Sequence, residues 1–133
     1  MVAIKTSVPN WKSSSVHESS PAHRGVSARL RRECPGYVET QFFVAQPLGE
    51  LHQGVRNENL EQQTFSDAAF DLVITQDVME HVGRPDRVCQ EIARTLRPTG
   101  YYIFTTPTYK DQVATQRRAI YFDDNIEHLL GNC

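Results

Sequence analysis

The chain has 133 residues, with 14 Lys and Arg against 16 Asp and Glu, for a formal net charge of −2. That length predicts one domain spanning 1–133, able to bury roughly two thirds of its unfolded surface. The near-neutral balance offers no electrostatic case for a nucleic-acid or membrane partner, and no apolar run approaches the ~20 residues that span a bilayer.

Met1-Val2-Ala3-Ile4-Lys5 lacks the apolar core of a signal peptide. Residues 1–11, and the Ser-rich stretch that follows them, read as partly mobile. Cys34, Cys89 and Cys133 are widely spaced and read as free thiols of a reducing cytoplasm, not as a disulfide framework. His17, His23, His52 and His128 show no metal-ligand spacing, so no metal site is expected. Residues 26–34 form an amphipathic helix with Val26, Leu30 and Cys34 on one face, stopped by Pro35-Gly36. Arg24, Arg29, Arg31 and Arg32 read as its solvated side. Residues 37–43 have strand composition.

The densest signal lies further on. Ser66-Asp67-Ala68-Ala69 is a polar turn. Phe70-Asp71-Leu72-Val73-Ile74-Thr75 is a β-branched apolar run without strict alternation, which suits a strand buried on both faces of a parallel sheet. Asp71 could cap a turn or serve function. A helix over 85–96 places Val88, Cys89, Ile92, Ala93 and Leu96 on one stripe, with Pro85 suited to its first turn. Asp86 sits near the positive end of its dipole, Arg94 and Arg97 near the negative end. Pro98-Thr99-Gly100 ends it. Residues 101–105 return as a strand, with Tyr101, Tyr102 and Phe104 expected in sheet and core. Strand, crossover helix and strand make a βαβ unit. Gln76 and Asp77 then fall just past the carboxyl end of a parallel strand, where open α/β sheets bind ligands.

FDLVITQDVMEHV at 70–82 and EIARTLRPTGYYIFTTP at 91–107 resemble the middle of a class I S-adenosylmethionine-dependent methyltransferase, in the style of the small-molecule type 11 group. The order Phe70-Asp71-Leu72-Val73, Glu80-His81, then Leu96-Arg97-Pro98-Thr99-Gly100 carries the resemblance. It implies an α/β, Rossmann-like three-layer sandwich with a mostly parallel sheet, S-adenosylmethionine as cofactor and a small-molecule acceptor. It places a strand over 55–60 whose end, Asn59 and Leu60, faces adenine; Asn59 stands where the family carries an acid. It puts Glu39 near the ribose hydroxyls, Glu18 and Gly25 near the methionine end, and Gln76 and Asp77 by the transferred methyl. Asp77 or His81 would be the base toward the acceptor.

The family's first strand ends in a glycine-rich turn that lets backbone approach the ligand. Here the matching strand would cover residues 11–16, and His17-Glu18-Ser19-Ser20-Pro21-Ala22-His23-Arg24-Gly25 stands in place of the glycines. After Pro107, the apolar pieces 119–122 and 126–130 suggest one small strand or helix, not a hairpin. A truncated sheet of about five strands follows, with the strand at Tyr101 on an edge open to a homodimer. The missing glycines, Asn59 and the short end leave open a degenerate, non-catalytic binding or assembly module. A dinucleotide enzyme would need Gly-x-Gly-x-x-Gly, which is absent.

Overall fold

The computed structural model describes residues 1–108, Lys110, Ala114, 119–122 and 125–128. Its main sheet runs β3-β4-β2-β1-β5-β6 across the molecule. These strands are β1 (Val16–Ser19), β2 (Tyr37–Gln41), β3 (Leu51–His52), β4 (Val55–Asn57), β5 (Phe70–Gln76) and β6 (Leu96–Thr105). All neighbours are parallel except the short edge pair β3 and β4. The helices are α1 (Val2–Ser7), α2 (Val26–Glu33) and α3 (Pro85–Thr95).

Two cores sandwich the sheet. On one face Ile4 of α1, Trp11 and Leu30 of α2 pack against Val16, Leu72 and Ile74. On the other, Val88 and Ile92 of α3 pack against Leu60, Phe70 and Val73. Strand β5 therefore contributes to both, which is why its sequence reads as an unbroken apolar run. Burying Leu72, Val73 and Ile74 stabilises the fold by roughly 1.5–3 kcal/mol each.

The first strand differs from the sequence expectation. Residues 11–16 do not form it; Trp11–Ser13 is a 3-10 turn, and β1 begins at Val16. The hydroxyls of Ser13 and Ser14 donate to the Asn10 carbonyl at 3.0 and 3.2 Å and favour the turn. The strand is instead Val16-His17-Glu18-Ser19, and every residue of it is buried. The segment before it is built into the core through Ile4, Val8 and Trp11.

Other expectations are also corrected. The main sheet has six strands, not about five, because Leu51–His52 adds an antiparallel edge. The C-terminal pieces do pair as a hairpin: β7 (Ala119–Phe122) and β8 (Asn125–His128) form their own antiparallel two-stranded sheet. Leu129, Leu130 and Cys133 lie outside the described residues. Strand β2 stops at Gln41 and β4 at Asn57, short of the expected ends. Cys89 is exposed, because the buried stripe of α3 runs through Val88, Ile92 and Thr95 at three- and four-residue spacing. Tyr101 and Phe104 are 46 % and 55 % exposed. Strand β6 pairs only with β5 among the described residues, so it forms an outer edge as expected.

Asp71 has a structural task. It accepts the Ser15 N–H at 2.8 Å and a guanidinium N–H of Arg97 at 2.5 Å, pinning the start of β5 to the approach of β1. Burial alone would raise its carboxyl, but these two donors outweigh that and hold it below the usual range.

His17 is fully enclosed, stacked on Phe70 at 5.1 Å and edge-on to Phe65 at 5.0 Å between ring centroids. Its Nε2 contacts the Thr40 hydroxyl at 2.9 Å, and its Nδ1 has no partner among the described residues. Burial, helped by nearby Arg56, lowers its pKa from 6.5 to about 4. The imidazole is thus neutral in the fold, while the unfolded chain takes up the proton first on acidification. Its contribution is complete above the unfolded value and is lost as pH falls from 6.5 towards 4. Urea unfolding at pH 7 and pH 5 should show a loss of about 2 kcal/mol from this group. His17→Gln should remove most of that difference; an unchanged difference in the variant would contradict the assignment.

Candidate functional site

A cleft of about 570 Å³ opens along the carboxyl edge of the parallel strands. Ser19 and Ser20 reach it from the end of β1, Gln41 and Phe42 from β2, and Glu58, Asn59, Leu60 and Glu61 from beyond β4. Asp77, Val78, His81, Val82 and Gly83 close the far side beyond β5. The chain leaves β1 towards β2 on one side and reaches β5 on the other. The cleft therefore straddles the point where strand order reverses, the usual ligand position in such sheets.

The loop after β1 explains how the chain manages without a glycine-rich turn. Ser20, His23 and Gly25 all take positive φ, at 54°, 56° and 59°. Ser20 holds this conformation by donating its N–H to the Thr40 carbonyl at 2.8 Å. A left-handed backbone at an L-residue costs about 1–2 kcal/mol, so the loop keeps a glycine-like path under local strain. Gly25 takes the N-cap position of α2.

Glu18 is fully buried and does not line the cleft. The Ser27 hydroxyl and the Gln76 amide donate to its Oε1 at 2.8 and 2.6 Å, and the Tyr37 hydroxyl donates to Oε2 at 2.6 Å. Burial, and then this bond to Glu18, push the Tyr37 hydroxyl well above its ordinary pKa. Gln76 is thereby turned towards Glu18, and it borders a smaller niche of about 150 Å³ beside α1. Glu39 is bound by Arg31 of α2 and is not part of the cleft lining. Gln41, at the end of the same strand, is.

The second wall is held from behind. Glu58, buried, accepts from Arg56 Nε at 2.8 Å, from the Thr64 N–H at 2.9 Å and from the Thr64 hydroxyl. Asn59 folds its side-chain carbonyl onto the Glu61 N–H at 2.9 Å. Glu61 in turn accepts the N–H groups of Gly83 and Arg84 at 2.8 and 3.0 Å, tying this turn to the loop before α3. Leu60 is buried in the α3-side core, so its backbone has little freedom.

Asp77 stands exposed at the end of β5 with φ of 53°. Thr105 clamps it: the Asp77 N–H reaches the Thr105 carbonyl and hydroxyl at 3.1 and 3.2 Å, and that hydroxyl donates to Asp77 Oδ1 at 3.0 Å. His81 is exposed on the same side of the cleft, its Nε2 4.0 Å from Glu80. Among the described residues no group of three His, Cys, Asp or Glu is placed to hold a metal ion.

Of the residues singled out in the sequence, Asn59, Leu60, Asp77 and His81 meet in this cleft. Glu18, Gln76, Gly25 and Glu39 support or flank it. Ser19, Ser20, Gln41, Phe42 and Glu61 were not anticipated. The signal that could have found Gln41 is its place as the last residue before the chain leaves the strand.

Residues 38–104 match the methyltransferase-domain family. The chain belongs to that family. Two curated relatives align with its central part. The dimethylglycine N-methyltransferase of Parasynechococcus marenigrum (strain WH8102) is 39 % identical over 59 residues, 44 % of this chain and 21 % of its own. The glycine/sarcosine/dimethylglycine N-methyltransferase of Actinopolyspora halophila is 39 % identical over 57 residues, 43 % and 10 %. The match thus spans about a fifth and a tenth of the relatives' lengths. Among solved structures, a putative methyltransferase from Bacillus halodurans C-125 superposes with a TM-score of 0.61 at 16 % identity, covering 84 % of this chain and 54 % of that one. The trans-methyltransferase CalH, solved in complex with SAH, gives 0.57 at 17 % identity, covering 77 % and 34 %. At such identities these likenesses speak to the fold, and the methyltransferase domain shares its Rossmann-like, mostly parallel sheet with both.

Proposed function

We propose that this methyltransferase domain binds S-adenosylmethionine in the cleft between Asn59 and Asp77 and transfers its methyl group to a small-molecule acceptor. The observation that carries the reading is that these two strand ends share one cleft across the switch point. Its volume falls within the ~300–1,000 Å³ range of small-molecule sites. The donor set also fits: apolar walls at Phe42, Leu60, Val78 and Val82 suit a purine, and amides and hydroxyls surround them.

Asn59 and Leu60 would face adenine. Gln41, not Glu39, would take the ribose hydroxyls, since its amide both donates and accepts. Ser19 and Ser20 would meet the methionine end, with Glu18 acting indirectly by fixing Gln76 and with Gly25 starting the helix behind the loop. When bound, the cofactor supplies an electrophilic methyl on a sulfonium. The protein then has only to align a nucleophile behind it and exclude water. Asp77 or His81 would accept the proton of that nucleophile. The relatives' names give glycine, sarcosine and dimethylglycine as acceptors, which supports a small amine class. The separate thiols Cys34 and Cys89 support a reducing, cytoplasmic setting.

The outer edge of β6, unpaired among the described residues and with Tyr101 and Phe104 exposed, supports pairing of two copies through that edge. Light scattering at high concentration should then give twice the 15.2 kDa chain mass; a single chain mass would count against it.

Isothermal titration with S-adenosylhomocysteine should give saturable heat with a micromolar Kd. No measurable heat at high micromolar ligand would contradict the reading and favour a non-catalytic binding module.

A further inference from the structure

We infer that the cleft discriminates by charge, holding the cationic sulfonium in preference to its neutral thioether product, and that Asp77 is the residue that reads the charge. The inference rests on the cofactor reading above and deepens it.

The argument starts from what each carboxylate of the cleft is already doing. Glu58 is neutralised by Arg56 and bound by two groups of Thr64. Glu61 accepts two backbone N–H groups on Oε1, which turns it towards the loop before α3. Asp77 differs. Its Oδ1 accepts from Thr105, while its Oδ2 has no hydrogen-bond or ion-pair partner among the described residues. His81, the one titratable cation on the lining, is charged only when protonated and stands 4.0 Å from Glu80. The lining thus carries an excess of negative charge at neutral pH, and Asp77 offers a free carboxylate oxygen beside the strand switch.

The backbone points the same way. Asp77 is held at positive φ by three hydrogen bonds to Thr105. Such strain persists only where neighbours over-determine it. The clamp spends Oδ1 and leaves Oδ2 free. Its position beyond β5 also faces Ser19 and Ser20 beyond β1 across the strand-order switch. A ligand spanning that switch would bring its central charge near Asp77. Because Asp77 is exposed, water screens it, and the preference should be modest, roughly three- to tenfold.

The test compares Kd values for S-adenosylmethionine and S-adenosylhomocysteine in wild type and Asp77→Asn. Asn tolerates left-handed φ and still accepts from Thr105, so the variant removes charge with little change of shape. Wild type should bind the sulfonium several-fold more tightly. The variant should approach parity, with its thioether Kd within about twofold of wild type. A second measurement needs no variant: raising salt from low to high ionic strength should shrink the wild-type preference. Equal wild-type affinities, or a preference unmoved by both the variant and salt, would overturn the inference while leaving the cofactor reading intact. Failure of wild type to bind either compound would overturn both.

Discussion

The fold turns on a carboxyl group with no access to water. Glu18 sits in the middle of β1, at the centre of the sheet, where only hydrogen bonds can offset the cost of burying it. Three elements supply them: Ser27 from α2, Tyr37 from β2 and Gln76 from the end of β5. Each donor is itself buried or half-buried, so each would lose a partner if Glu18 were absent. The backbone ladder sets the strand spacing, and this one group ties α2, β2 and the end of β5 to the central strand. The strained Ser20 follows directly after this strand, held by the Thr40 carbonyl.

A second layer of constraint lies around the cleft. The walls are made of groups that are already bonded inward: Glu58 to Arg56 and Thr64, Asn59 to Glu61, Glu61 to the loop before α3. Arg94 adds a brace, reaching Glu91, Asp67 and the carbonyls of Phe65 and Gln63. A wall held this way keeps its shape without a ligand, so less ordering is required on binding. Among the lining groups with no bond to the described residues are the Gln41 amide and one oxygen of Asp77, which a ligand can use.

Much of this was legible in the residues. The βαβ unit from Phe70 to Thr105 could be read because its strand is apolar on both faces and its helix has a Pro start and an amphipathic stripe. The convergence of Asn59, Leu60, Asp77 and His81 followed from strand ends and from the family resemblance. The first strand was hidden for a physical reason. Three of its four residues, His17, Glu18 and Ser19, are polar yet buried, and their partners, such as Thr40 and Ser27, are distant in sequence. A pattern of apolar residues carries no trace of such pairing. The same blindness hid the partner of Glu39, whose charge is met by Arg31 of α2. It also hid the glycine-like conformation of Ser20, since backbone angles set by a bond to Thr40 leave no local mark.

The cleft as an adenosyl site is the claim on which the functional account stands. A crystal structure of the protein grown with S-adenosylhomocysteine tests it most directly. The account predicts adenine beside Asn59 and Leu60, the ribose near Gln41 and the sulfur on the Asp77 side of the strand switch. Density for the ligand on another face of the sheet, or a cleft left empty at saturating ligand, would contradict it.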